Sequence, residues 1–237
     1  MEKITTILFD LDGTLIPFDQ EEFTQAYFYN LIKKFAPMGY DKDLLIKAIW
    51  AGTGSMVKND GKVTNEETFK VTFSKLMQRK YDEMEKSFLD FYANEFDNAK
   101  STLQEDVDRS KFIKALKNKG LKVVLATNPI FPKVAVQTRL NWIGLKLEDF
   151  DYVTTFENSH YCKPNLDYYR EIFEKIGSNP NESIMVGNNA LEDMISSELG
   201  VKTYLVTDNL ENPNEVDIDQ FENGSFDFIA GKILEVI

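Results

Sequence analysis

The stretch Ile4-Thr5-Thr6-Ile7-Leu8-Phe9-Asp10-Leu11-Asp12-Gly13-Thr14 decides how the rest of the chain is read. Ile4 to Phe9 is nearly continuous in apolar character and lacks period-2 alternation. That is the pattern of a strand buried on both faces, as in a parallel sheet. It stops at two acids, Asp10 and Asp12, which share one face of an extended chain. The same event recurs downstream. Leu121–Ala126 stops at Thr127-Asn128, and the weaker run Tyr152–Thr155 is followed by Lys163-Pro164. Ser183–Val186 ends at Gly187-Asn188-Asn189 with Glu192 and Asp193 beyond, and Lys202–Val206 ends at Thr207. Helical patterns fill the intervals over Arg109–Asn118, Lys133–Trp142, Leu166–Ile176 and Ala190–Leu199. Each is closed by a glycine: Gly120, Gly144, Gly177 and Gly200. Strand alternating with helix predicts right-handed βαβ units and an α/β fold with a doubly wound, Rossmann-like parallel sheet.

Residues 16–105 break that rhythm. They offer four helical segments and no strand. Asp19 with Glu22 and Thr64 with Glu67 read as capping boxes. The first opens a helix through Lys34 and the second one to about Lys80; Asp41–Trp50 and Glu83–Phe96 supply the others. Half of the aromatic residues lie here at helical spacings such as Phe69/Phe73 and Phe88/Phe91/Tyr92, the stripe of a packed helical bundle. The expected organisation is a catalytic core over 1–15 and 106–237 with an inserted helical cap over 16–105.

Composition narrows the chemistry. The 237 residues carry 27 basic and 39 acidic side chains, a net charge of −12. Such a chain repels phosphate backbones and anionic lipid, so neither nucleic acid nor a membrane is an expected partner. One cysteine, Cys162, excludes an internal disulfide framework and a Cys-cluster zinc site, and one histidine, His160, excludes a His-rich metal centre. Both read as incidental: a loop imidazole and a small buried thiol. No run of apolar residues is long enough to span a bilayer. The expectation is a soluble cytoplasmic protein, monomer or homodimer, whose chemistry rests on carboxylates, lysine, hydroxyls or a hard metal ion.

In doubly wound sheets ligands bind beyond the carboxyl ends of the strands. The residues converging there are Asp10, Asp12, Thr127, Asn128, Lys163, Asn188 and Asp193. Two carboxylates, a hydroxyl and a lysine suit phosphoryl transfer: one carboxylate attacks while the other handles protons. A carboxylate approaching a phosphate faces about 4 kcal/mol of repulsion per charge pair at ~4 Å and an effective dielectric of ~20. Oxygen ligands without His or Cys point to Mg²⁺ to offset it.

In this order the motifs Asp10-x-Asp12-Gly13-Thr14, Thr127-Asn128, Lys163-Pro164 and Gly187…Asp193 resemble the haloacid dehalogenase superfamily, in its phosphatase branch with a helical cap of the first type. The resemblance runs from Asp10 to Asp193. It implies Asp10 as a nucleophile forming an aspartyl-phosphate and Asp12 as the acid and base. It also implies Thr127, Asn128 and Lys163 on the phosphate, and Mg²⁺ held by Asp10, the Asp12 carbonyl, Asn188 and Asp193, with Glu192 the less favoured substitute for Asp193. The implied reaction is Mg²⁺-dependent hydrolysis of a small phosphorylated metabolite. Rivals on the same fold are a 2-haloacid dehalogenase, a phosphomutase and a phosphonate hydrolase; a non-catalytic binding protein is the rival from another class. Asn188 stands where the family commonly has an aspartate, which removes one charge from the metal set. In the cap, Gly52-Thr53-Gly54-Ser55 with Lys58 and Asn59 resembles an anion-binding loop and equally a plain connection between helices; on the first reading Thr53, Ser55 and Lys58 are candidates for substrate contact.

Overall fold

Six parallel strands, β1 (Thr6–Phe9), β2 (Lys122–Leu125), β3 (Tyr152–Val153), β4 (Ser183–Gly187), β5 (Lys202–Val206) and β6 (Glu222–Gly224), form one sheet in the order β3-β2-β1-β4-β5-β6 in the computed structural model, which describes residues 3–237. β1 sits at its centre with all four residues buried, as its unbroken apolar run requires. Phe9 is in register with Leu125 on one side and Val186 on the other, so these strands end level and Asp10, Ala126 and Gly187 follow on one rim. The chain runs outward from β1 to β2 and β3, then crosses back to β4 on the other side. The reversal puts the switch point, where such sheets open a crevice, beside Asp10.

The helices are α1 (Gln20–Phe35), α2 (Lys42–Val57), α3 (Asn65–Met77), α4 (Asp82–Ala93), α5 (Ser110–Asn118), α6 (Lys133–Trp142), α7 (Leu166–Ile176) and α8 (Phe226–Val236). α3 opens on the full Thr64/Glu67 capping box. At α1 only half of the expected box forms: the Asp19 carboxylate accepts from the Glu21 and Glu22 N–H groups. α1 to α4 all lie between β1 and β2. Their aromatic stripes pack on one another, on Phe131 just before α6 and on Trp142 at its end, Tyr27 against the first and Phe96 against the second, in one continuous apolar core.

Three expectations need correction. Ala190–Leu199 is turn followed by a 3₁₀ segment over Met194–Leu199, because Asn189 and Asp193 take the local N–H groups in side-chain turns. The stretch Glu211–Glu222, which its acidic, loop-like sequence marks as a solvated edge, leads into β6 at its end. Most consequentially, Gly52–Ser55 is not a loop but the last turns of α2, which runs to Val57. Its glycine serves packing: a Cβ at Gly52 would stand 2.5 Å from the Phe69 ring, so only glycine lets α3 approach this closely.

Candidate active site

Asp10 is nearly buried at the end of β1, and its Oδ1 accepts from the Lys163 ammonium at 2.8 Å. Lys163, 1% exposed, also donates to Asp193 Oδ1 at 2.6 Å. The other Asp193 oxygen accepts from the Asn189 N–H at 3.0 Å. Both oxygens of Asp193 thus accept hydrogen bonds, the geometry of an ionised carboxylate. Burial works against the Lys163 charge, yet Asp10 and Asp193 outweigh it and hold the ammonium's pKa well above the usual lysine value. Burial raises the Asp193 pKa, and Lys163 opposes that.

Thr14 reveals a second feature. Its hydroxyl lies 3.3 Å from Asp10 Oδ2 and 3.1 Å from Asn188 Oδ1, and it has one proton for the two acceptors. Asn188 is oriented by its own amide: Nδ2 donates to the Asn209 carbonyl at 2.7 Å, which aims Oδ1 inward. Gly13 is left-handed, with φ at 80°, and a Cβ there would lie 2.3 Å from Asn188 Nδ2. The glycine admits both the sharp exit from β1 and the amide beside it.

Asp10, Asp12, Thr127, Asn128, Asn188 and Asp193 all line one cleft of about 230 Å³. Lys163 lies behind it, joining Asp10 to Asp193. The Thr127 carbonyl is fixed by Thr154 Oγ1 at 2.7 Å and the Tyr168 hydroxyl at 2.9 Å. Asn128 donates to Glu192 Oε2 at 3.0 Å, and its buried Oδ1 has no partner among the described residues. The N–H groups of Leu11, Asp12, Thr127 and Asn128 find no backbone acceptor among those residues. Unpaired donors around a cleft are the makings of an anion site.

Sequence reasoning missed two members. Arg139, on α6 and fully buried, pairs with Asp12 Oδ2 and lies over the Phe131 ring, 4.4 Å from its centroid. Burial raises the Asp12 pKa, and the Arg139 charge pulls the other way. An arginine between Ala135, Val136 and Trp142 on the buried face of a predicted helix was the available signal. Glu211 is the other; Glu192, which the sequence offers as a less favoured substitute for Asp193, lines the cleft together with it, and burial raises the pKa of both glutamates. Glu211 accepts from Asn189 Nδ2 at 2.9 Å and lies in the loop after β5, bridged to Asn189 rather than placed at the strand end.

The cap candidates separate. Thr53 faces an aromatic cavity next to the cleft. Ser55 donates to the Gly52 carbonyl at 2.7 Å, and Lys58 is exposed beyond the end of α2. Neither lines the cleft. His160 pairs with Glu171 at 2.6 Å, and Cys162 is buried; neither lines the cleft.

The donor set accommodates a hard cation. Asp10, Asp12, Glu192, Asp193 and Glu211 line the cleft without a cation among its lining residues, while Lys163 and Arg139 are each already paired. Among the described residues no three acidic, His or Cys side chains converge as a ready metal cluster. The available set is mixed: the Asp10 carboxylate and the Asn188 amide, which already share one hydroxyl proton, with the Asp12 backbone and Asp193 nearby.

The model of the haloacid dehalogenase-like hydrolases matches residues 4–197, most of the chain and every residue above except Asn209 and Glu211. The chain belongs to that family. This hydrolase is 27% identical over 205 residues to a pyrophosphatase, PpaX, of Bacillus cereus, covering 86% of this chain and 84% of the relative. Among solved structures it resembles a HAD phosphatase from Thermococcus onnurineus, with a TM-score of 0.59 and 20% identity over 98% of this chain and 99% of the other. It also resembles a HAD family enzyme from Bacteroides thetaiotaomicron, solved in complex with magnesium and inorganic phosphate. There the TM-score is 0.50 and the identity 20%, over 90% and 98% of the two chains. At that identity the structural likeness speaks for the fold alone. No helix among the described residues of this hydrolase is long and apolar enough to cross a membrane.

Proposed function

We propose that this hydrolase cleaves small-molecule phosphomonoesters through an aspartyl-phosphate on Asp10, with Mg²⁺ as cofactor. The observation that carries the reading is the Asp10 carboxylate at the switch crevice, held by Lys163 at 2.8 Å, with Asp12 on the same rim. A carboxylate in that position, hydrogen-bonded to an adjacent ammonium, is a nucleophile. The division into a core over 1–15 and 106–237 and a cap over 16–105 belongs to the same proposal.

Asp10 Oδ2 attacks phosphorus and the ester oxygen departs with a proton from Asp12. Asp12 then accepts a proton from the water that attacks the acyl phosphate, releasing inorganic phosphate and restoring Asp10. Burial favours the protonated form of Asp12 needed for the first step, and Arg139 limits that rise so that the carboxylate remains accessible for the second. The Thr127 hydroxyl and the free N–H groups of Asp12, Thr127 and Asn128 receive the phosphoryl oxygens. Asp10, the Asp12 carbonyl, Asn188 and Asp193 would hold Mg²⁺, which supplies the positive charge a dianionic ester needs beside these carboxylates. Asp12 also separates this reading from carbon–halogen hydrolysis, which needs no acid two residues after the nucleophile. The test is a panel of phosphorylated metabolites with Mg²⁺, run for wild type and Asp10→Asn. Phosphate release by wild type alone supports the proposal, whereas halide release from 2-haloacids without phosphatase activity overturns it.

A further inference from the structure

Beside the catalytic cleft, between the helices α1 to α4 and the start of α6, lies a second cavity of about 110 Å³. Phe23, Tyr27, Phe69, Tyr81, Phe131 and Phe156 are among its walls, and no charged side chain lines it. Gln20, Ile130 and Phe131 line both spaces, so the cavity adjoins the cleft that holds Asp10, on the side of these three residues. Gly52 keeps it in shape by letting the Phe69 ring seat against α2.

The walls carry little polarity, and it is specific. The hydroxyls of Tyr27 and Tyr92 are 3.0 Å apart and bond only to each other, which uses one of their two protons. The Tyr81 hydroxyl has no partner among the described residues. The cavity therefore offers aromatic faces and edges for one ring and an O–H donor for one ring heteroatom or carbonyl. A dry apolar cavity of about 150 Å³ is known to accept benzene, so about 110 Å³ with an open side is single-ring size.

We propose that the substrate is the phosphate ester of a single-ring aromatic or heteroaromatic alcohol, its ring in this cavity and its phosphate on Asp10. The inference rests on the phosphatase reading above for the phosphate end, and on the cavity alone for the ring. It also sets the chain apart from pyrophosphate hydrolysis: the leaving phosphate would enter a space with no cation, and an unpaired buried charge is strongly disfavoured.

The experiment compares kcat/KM for benzyl phosphate, glycerol phosphate and pyrophosphate with Mg²⁺. Benzyl and glycerol phosphates both release an alkyl alcohol, so the ring is the main difference between them. Benzyl phosphate should exceed each of the others by at least about tenfold, the usual worth of filling an apolar pocket. Thr53→Trp, and independently Thr24→Phe, fill the cavity from α2 and α1 and should reduce that ratio toward one. A wild-type ratio at or below one, or a ratio unchanged in whichever filled variant folds, overturns the proposal. If no ester is hydrolysed, the phosphatase reading is what has failed. The cavity is then judged by calorimetry with benzyl alcohol: saturable binding that the filled variants lose supports the ring site, and no binding to wild type overturns it.

Discussion

Lys163→Met isolates the electrostatic heart of the site, because it keeps the length of the side chain and removes only its charge. At 2.8 and 2.6 Å, with an effective dielectric of ~20, the two contacts to Asp10 and Asp193 amount to about 6 kcal/mol of gross attraction each. Stripping water from three charges cancels most of that in the wild type. Deletion of the ammonium leaves two buried carboxylates facing one another without a counterion, which costs about 3–5 kcal/mol. For a chain of this length the loss lowers Tm by roughly 6–20 °C, at about 2–4 °C per kcal/mol. The pH dependence has a definite sign. In the variant the Asp193 carboxyl, already raised by burial, loses the ammonium that opposes that rise, so its cost is complete above its folded pKa and disappears as it protonates toward the unfolded value. The gap to wild type therefore narrows as pH falls from about 8 to about 5. Adding Asp193→Leu removes one of the orphaned charges, and the double-mutant cycle should return a favourable coupling of about 0.5–3 kcal/mol. The assay is urea unfolding of wild type, both singles and the double at the two pH values. A Lys163→Met variant within ~0.5 kcal/mol of wild type, or strictly additive mutations, would refute the view that these three residues form one buried ionic unit.

Three further outcomes follow from neighbouring contacts. Asn188→Asp should shift half-maximal Mg²⁺ activation to lower concentration, since hard cations favour charged oxygens. It should also cost about 1–3 kcal/mol of stability without metal, because the Asn209 carbonyl loses its donor; a melt with and without Mg²⁺ and a rate titration check both halves. Arg139→Gln removes the charge that restrains the Asp12 pKa, so the alkaline limb of the pH–rate profile should move to higher pH, and an unmoved limb would mean Asp12 is not the acid. The Cys162 thiol, pushed up by burial to about 12, should resist alkylation in the native protein at about pH 8 and react fully in guanidinium; rapid native labelling would contradict its burial.

The legible parts of this molecule were those governed by local chemistry. β1 and the strands flanking it declare themselves by unbroken apolar runs, and each run stops where a polar residue enters the cleft. That single rule collected Asp10, Asp12, Thr127, Asn128, Asn188 and Asp193, all of which line the cleft. At β5 the rule reaches only Thr207, whereas Glu211 comes to the cleft through a bridge to Asn189 that no strand end announces. β6 escaped because Glu222-Asn223-Gly224 is a short, polar edge strand with no apolar run to betray it. Arg139 required a tertiary fact, that α6 places its buried face against Asp12. The Gly52–Ser55 segment misled because glycine has two uses: spacing alone does not distinguish a turn from a helix surface that needs close approach. Here the close approach of Phe69 is the reason for Gly52.

The central claim is that Asp10 becomes phosphorylated during turnover. Wild-type protein mixed with a phosphomonoester and Mg²⁺, quenched in acid within one turnover and reduced with borohydride, converts an aspartyl-phosphate to homoserine, which mass spectrometry places in the sequence. The account predicts homoserine at position 10 in wild type, with neither label nor turnover in Asp10→Asn. Turnover without a trapped label at Asp10, or full activity in Asp10→Asn, would contradict it.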